Sequence, residues 1–167
     1  MLQQTLILLK PDAVEKNLTE EIIRRYQAAG LKVVKRKKIM APLEIVEKHY
    51  PMNPDYLRSI GEKTIAAGQK VKSAEDQGRK VVTWLRKFIT SGPIAVLLLE
   101  GEDAVVVARK TTGFTDPSSA DKGTIRGDLG TDSILIANKE ERPVWNLIHA
   151  SGSLAEAEHE IKLWFGD

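Results

Sequence analysis

The chain has no cysteine among its 167 residues. Disulfides, thiolate metal sites and a cysteine nucleophile are therefore excluded, and the composition fits a cytoplasmic protein. Long apolar runs are missing too. The longest, Ile94 to Leu99, is far too short to span a bilayer. The first residues, Met1-Leu2-Gln3-Gln4-Thr5, lack the basic start and apolar core of a signal peptide. Neither sign of charge dominates: 25 Lys and Arg against 23 Asp and Glu leave a formal net charge of +2. That balance is too small to argue for a nucleic-acid or membrane partner. No Walker-type glycine loop, no Gly-x-Gly-x-x-Gly and no histidine pair at metal spacing occurs, so the P-loop, dinucleotide and zinc routes lose their sequence marks. Tandem repeats and low-complexity tracts are also absent.

What is present is an ordinary globular composition, 42% hydrophobic and 29% charged, sized for a single domain over residues 1–167. Thr5 to Leu9 is a short apolar run ending at Lys10-Pro11, which predicts a buried strand. Leu18 to Ala29 spaces Leu18, Ile22, Ile23 and Tyr26 as a helix that Gly30 stops. Leu31 to Met40 reads as a second strand. Its Lys32, Lys35, Arg36, Lys37 and Lys38 form either a solvated face or a polyanion-binding edge. A helix over Leu43 to Tyr50 is entered through Pro42. Pro51 to Gly78 loses its pattern and predicts a surface insertion with some helix near Pro54 to Ile65.

Val81 to Thr90 predicts a helix with Val81, Trp84, Leu85 and Phe88 on one face, broken by Ser91-Gly92-Pro93. Ile94 to Glu100 is a third strand, and Ala104 to Thr112 a helix ending at Gly113. Phe114 to Gly130 reads as a long polar loop, of a length that tends to carry function. Ser133 to Ala137 reads as a short extended piece, and Asn146 to Ala150 as the fourth strand. Ser153-Leu154-Ala155-Glu156 has the form of a capping box. It opens a last helix with Leu154, Ala157, Ile161 and Trp164 on one stripe. The order predicts an α/β (α+β) fold with a βαββαβ core: a four-stranded, mainly antiparallel sheet with helices on one face.

Three histidines occur, and two of them, His49 and His159, lie in charged, helix-like stretches. His149 differs, because it ends the apolar run Asn146-Leu147-Ile148-His149 just before a Ser/Gly turn. Two readings stand. His149 is a hydrogen-bonded strand-end residue, or it is a nitrogen nucleophile. The second would need cations for a polyphosphate, polar donors and a nearby carboxylate. The candidates are Lys10, Arg109, Thr115, Arg126, Asn146 and Glu160. Each has a plain alternative; Arg126, for instance, could simply pair with Asp128.

Lys10-Pro11-Asp12-Ala13-Val14, Gly123-Thr124-Ile125-Arg126-Gly127-Asp128 and Asn146-Leu147-Ile148-His149-Ala150-Ser151, in that order, resemble nucleoside diphosphate kinases. Ser91-Gly92-Pro93 and the ending from Glu158 to Phe165 match as well. The resemblance implies a ferredoxin-like sandwich. It also implies ping-pong transfer of the γ-phosphate of ATP to nucleoside diphosphates through a phosphohistidine on His149. Carried over, Glu160 orients the histidine side, Ser151 supplies a nearby hydroxyl, Lys10 meets the transferring phosphate and Tyr50 is a supporting phenol. Arg109, Thr115 and Arg126 bind phosphates, and Asn146 contacts the sugar hydroxyl and phosphates. Magnesium is expected on the phosphate oxygens without a protein cage. The loop from Phe114 to Gly130 implies subunit contacts and a homo-oligomer, a hexamer or else a tetramer.

Four departures from the family pattern accompany these matches. Gly152 replaces a common aspartate. Residues 51–78 are inserted relative to the short members. Val81 stands where many members stack a phenylalanine on the base, with Leu85 one turn later. The stretch from Leu129 to Pro143 is expanded, leaving Pro143 or Val144 as the other wall of a base pocket. The alternative function is a nucleotide- or nucleic-acid-binding homologue with weak or no kinase activity, using the basic strand from Lys32 to Lys38.

Overall fold

A computed structural model describes residues 1–166. Strand β1 (Leu2–Leu9) leads into a short helix, α1 (Pro11–Glu15), whose first position is a proline; the N–H it lacks would be unpaired there anyway. Helix α2 (Thr19–Ala28) ends where Gly30 adopts a φ of +92°. Then come β2 (Lys32–Ile39), α3 (Leu43–His49), α4 (Pro54–Ala66) and α5 (Ala74–Ile89). Strand β3 (Ile94–Glu102) and helix α6 (Ala104–Thr112) follow. A 3-10 turn at Pro117–Ser119 precedes α7 (Ile125–Leu129) and α8 (Ile134–Lys139). Strand β4 (Ile148–Ala150) and helix α9 (Leu154–Phe165) close the chain.

The sheet order is β2-β3-β1-β4 and every neighbouring pair is antiparallel, the ferredoxin-like arrangement expected from the element order. Helices cover both faces, not one. The reason lies in β1 and β3, whose central residues are apolar without alternation. Ile7 and Leu9 pack with Leu97 and Leu99 against α2 and α6. Leu6 and Leu8 pack with Ile94 and Val96 against α3, α4, α5 and α9. A strand that is apolar on both sides needs two layers of cover. Each such side chain, fully buried, stabilises the fold by roughly 1.5–3 kcal/mol.

The stretch expected as a loose insertion is a helical hairpin, and α5 begins at Ala74 instead of Val81. Two glycines that read as breakers are its packing device. A Cβ on Gly61 would lie 1.8 Å from the Ala74 carbonyl oxygen, and one on Gly78 1.8 Å from that of Leu57. The two backbones cross in contact. That crossing also turns α5, so that Val82, Leu85 and Ile89 are buried while Val81, Trp84 and Phe88 are half-buried.

Other local expectations shift in the same way. The polar loop after Gly113 holds the 3-10 turn and α7, with Thr124 capping α7 by accepting from the Gly127 N–H at 3.0 Å. Ser133 to Ala137 is not extended: Ser133 caps helix α8, because its hydroxyl takes the Ile136 N–H at 3.2 Å. The capping box before α9 is offset. Ser153 accepts from the Glu156 N–H at 3.2 Å, but the Glu156 carboxylate accepts from Gly152 at 2.8 Å, one residue early. The buried face of α9 carries Ala157, Glu160 and Trp164, and Leu154 is exposed. A carboxylate thus sits on the face expected to be purely apolar.

Candidate active site

Strand β4 is shorter than expected because Leu147, just before it, has a φ of +72°. This left-handed backbone costs an L-residue about 1 kcal/mol or more. Both peptide groups of Leu147 are tied down. Its N–H donates to Asp12 Oδ2 at 3.1 Å, and its carbonyl accepts from the Lys10 N–H at 2.8 Å. The kink turns the chain into three residues of β4, and His149 pairs with Leu8 of β1.

Glu160 of α9 reaches the histidine. Its oxygens lie 2.9 and 3.1 Å from His149 Nε2, and Oε2 accepts from the Ser151 hydroxyl at 2.5 Å. Burial pushes the Glu160 carboxyl up, but the His149 charge and hydrogen bond, His49 and the Ser151 bond outweigh it and bring it down to about 2. An ionised carboxylate only accepts, so Nε2 carries a proton, and in the neutral ring Nδ1 is then the nitrogen with a lone pair. The side chain of His149 is 22% exposed while that of Glu160 is 9% exposed: the ring meets the cleft and its anchor lies beneath.

His49, set aside in sequence as part of a charged helix, is buried edge-on against His149 with ring centroids 4.4 Å apart. Val46 and His49, three apart on α3, are the buried residues of that helix, and this spacing was the available signal. Its Nδ1 accepts from the Trp164 indole N–H at 3.1 Å. Burial, followed by the neighbouring His149 charge, lowers His49 to about 3, so it stays neutral. One donor atom each of His49, His149 and Glu160 lie within 4.8 Å of one another, but all three side chains are already engaged in hydrogen bonds, His149 with Glu160 and His49 with Trp164. Tyr50 is buried on the third side, and its hydroxyl has no partner.

The cations stand opposite. Lys10 Nζ donates to Asn146 Oδ1 at 2.8 Å, and the Asn146 amide donates to the Thr115 carbonyl at 2.9 Å. Burial first, then Arg126, bring Lys10 down to about 7. Arg126 does not pair with Asp128, which is held by Arg25 at 2.6 Å. Its guanidinium donates instead to the carbonyls of Asn146, Gly113 and Ile148, leaving part of its five-donor fork unspent. Arg109 is nearly free, with one long contact of 3.4 Å to the Ala150 carbonyl. These side chains converge on one cleft of about 490 Å³. Val81, Leu85, Pro143 and Val144 form part of its apolar end. Among the candidates only Ser151 is not on the cleft wall; it is fully buried behind Glu160. Tyr56 and Lys63, which sequence reasoning did not single out, also line it. The basic residues of β2 stay outside the cleft: Arg36 pairs with Glu20 at 2.7 Å, and Lys37 lies over the Phe165 ring at 5.0 Å.

A ferredoxin-like sheet carrying a carboxylate-anchored histidine at the mouth of a cleft lined by Lys10, Arg109 and Arg126 defines a small α/β protein with a predominantly cationic pocket. The nucleoside diphosphate kinase family pattern matches residues 3–57 and 67–167, and the chain belongs to that family. A curated nucleoside diphosphate kinase of Pyrobaculum aerophilum is 46% identical over 98% of this chain and 94% of its own length. One from Staphylococcus aureus is 39% identical, covering 99% and 89%. The crystal structure of an NDP kinase from Pyrobaculum aerophilum superposes with a TM-score of 0.92 at 43% identity, over 99% of this chain and 96% of that one. A Borrelia burgdorferi nucleoside-diphosphate kinase, solved as a transition-state mimic with vanadate and ADP, gives 0.81 at 32% identity, covering 99% and 88%.

Proposed function

We propose that this chain is a nucleoside diphosphate kinase working by a ping-pong mechanism on His149. The observation that carries the reading is the Glu160–His149 pair, which holds one ring nitrogen and leaves the other unpaired on a residue that lines a cleft of cations. In the first half-reaction the Nδ1 lone pair attacks the γ-phosphorus of ATP. The Nδ1–P bond forms as the bond from phosphorus to the β,γ-bridging oxygen breaks. That oxygen keeps the electron pair and ADP leaves. The second half-reaction runs the same step backwards onto another nucleoside diphosphate.

Glu160 keeps Nε2 protonated throughout, so the positive charge that develops on the ring is met by a fixed anion, and Ser151 holds that anion in place. Lys10, Arg126 and Arg109 neutralise phosphate oxygens, with the unpaired Tyr50 hydroxyl as a further donor. Thr115 and Asn146 link the phosphate and sugar ends through their mutual bond. Val81 and Leu85 on one side and Pro143 or Val144 on the other take the base. Magnesium, when bound, supplies charge neutralisation on the phosphates. The cleft's two carboxylates are already engaged, Glu160 with His149 and Ser151 and Glu156 with the Gly152 N–H, so the protein offers no free carboxylate cage of its own. A homo-oligomer, a hexamer or else a tetramer, completes the proposal. It is supported by the exposed Phe114 and Val106 at the start of the loop and on α6. The proposed compartment is the cytoplasm, where free nucleotides are exchanged; among the described residues no helix is long and apolar enough to cross a membrane.

Incubation with γ-labelled ATP and magnesium, followed by a GDP chase, tests the reading. One phosphoryl group on the peptide containing His149, discharged by GDP and lost in His149→Ala, is the expected result. A folded wild type that takes no label overturns it.

A further inference from the structure

The family pattern skips residues 58–66, the last two-thirds of α4. Four side chains of that stretch, Ser59, Ile60, Lys63 and Thr64, nevertheless line the cleft. Thr64 is buried, and its hydroxyl accepts from Asn138 of α8 at 3.2 Å, which fixes the end of α4 against the cleft. Lys63 is the charged member. Its helical neighbours at three and four residues are Ile60, Ala66, Ser59 and Ala67, so no acid on α4 can pair with it. It stands instead among cations. Although its side chain is open to solvent, the protein crowding around it first, then Arg109 and Arg126, hold its ammonium below the usual lysine range, and Lys63 in turn pushes Lys10 down. The carboxylate that acts in its favour, Glu156, is engaged with the Gly152 N–H at 2.8 Å. A lysine placed only for solubility would not be aimed into a group of like charges. The set repels itself until an anion enters.

We propose that Lys63 is an additional polyphosphate-binding cation, supplied by the α4 segment outside the family pattern, that takes an oxygen of the phosphates staying with the leaving nucleotide. This rests on the kinase reading above. A contact made equally before, during and after transfer strengthens binding of nucleoside di- and triphosphates and leaves the chemical step alone.

The test measures ADP affinity by calorimetry and steady-state kinetics for the wild type, Lys63→Met, Lys63→Arg and Lys70→Met. Lys70 lies in the turn after α4, exposed and outside the cleft lining. The expected result is an ADP dissociation constant and KM about tenfold higher in Lys63→Met, with kcat within about twofold. Arginine should restore affinity, and Lys70→Met should match the wild type. Wild-type-like ADP binding by Lys63→Met, or an equal loss in Lys70→Met, overturns the assignment of Lys63. A wild type that neither binds ADP nor takes phosphate would overturn the kinase reading itself. Melting curves confirm that each variant is folded, since a lysine exposed on a helix tolerates methionine.

Discussion

The two walls of the cleft are built on opposite plans. On the histidine wall, β4, α3 and α9 bring together polar groups that already spend their hydrogen bonds on one another: Glu160 on His149 and Ser151, and His49 on Trp164. On the hairpin wall, α4 and α5 present Ile60, Val81 and Leu85 with a single charge, Lys63, and the family pattern skips residues 58–66 of α4. In the proposed reaction the first wall must hold one nitrogen to within a fraction of an ångström of a phosphorus, whereas the second needs only to enclose a base and a phosphate chain, which different side chains can do. Chemistry demands a fixed network, and recognition tolerates a replaced one.

The strongest way to break the contrast is Glu160→Ala. If the histidine wall acts as a unit, the rate of phosphoenzyme formation by rapid quench falls on the order of a thousandfold, about 4 kcal/mol. A change under tenfold would mean that His149 does not depend on its anchor. Next comes the hairpin. Gly78→Ala drives a methyl group into the Leu57 carbonyl. The expected loss is about 3 kcal/mol, roughly 6–12 °C in melting temperature by calorimetry. Unchanged melting would show that the hairpin yields easily and does not hold its wall in place.

The smallest effect sharpens the electrostatics. Lys10, lowered to about 7, loses its charge as pH rises through that value, so ADP affinity falls about tenfold per pH unit above it. The sign for stability is the reverse. Between pH 7 and 10.5 the unfolded chain holds the Lys10 proton that the folded one has released, so this group makes the apo protein more stable as pH rises there. Opposite slopes for binding and melting are the signature to seek. A flat affinity profile across pH 6 to 9 would remove Lys10 from the phosphate site.

The same contrast explains what could be read from the sequence. Strands β1 and β3, the end of α2 at Gly30 and the end of α6 at Gly113 were legible, because apolar runs and glycine stops act locally. The candidate site was legible through motifs that lie in three separate segments. The hairpin was not, because Gly61 and Gly78 look like breakers until a second backbone is seen lying across them. Covering of both sheet faces follows from the unalternating β1 and was misread for want of that inference. His49 and Lys63 sit in charged stretches, and only tertiary placement separates them from solvated neighbours.

Leu147 carries a further consequence. Its backbone favours glycine, yet its side chain is fully exposed to the core and not at all to water. Removing the side chain would relieve about 1 kcal/mol of backbone strain but open a void costing roughly 3 kcal/mol or more. The residue two positions before His149 is therefore caught between two requirements that no single natural residue meets. A lineage drifting one substitution at a time finds no downhill exit from that position.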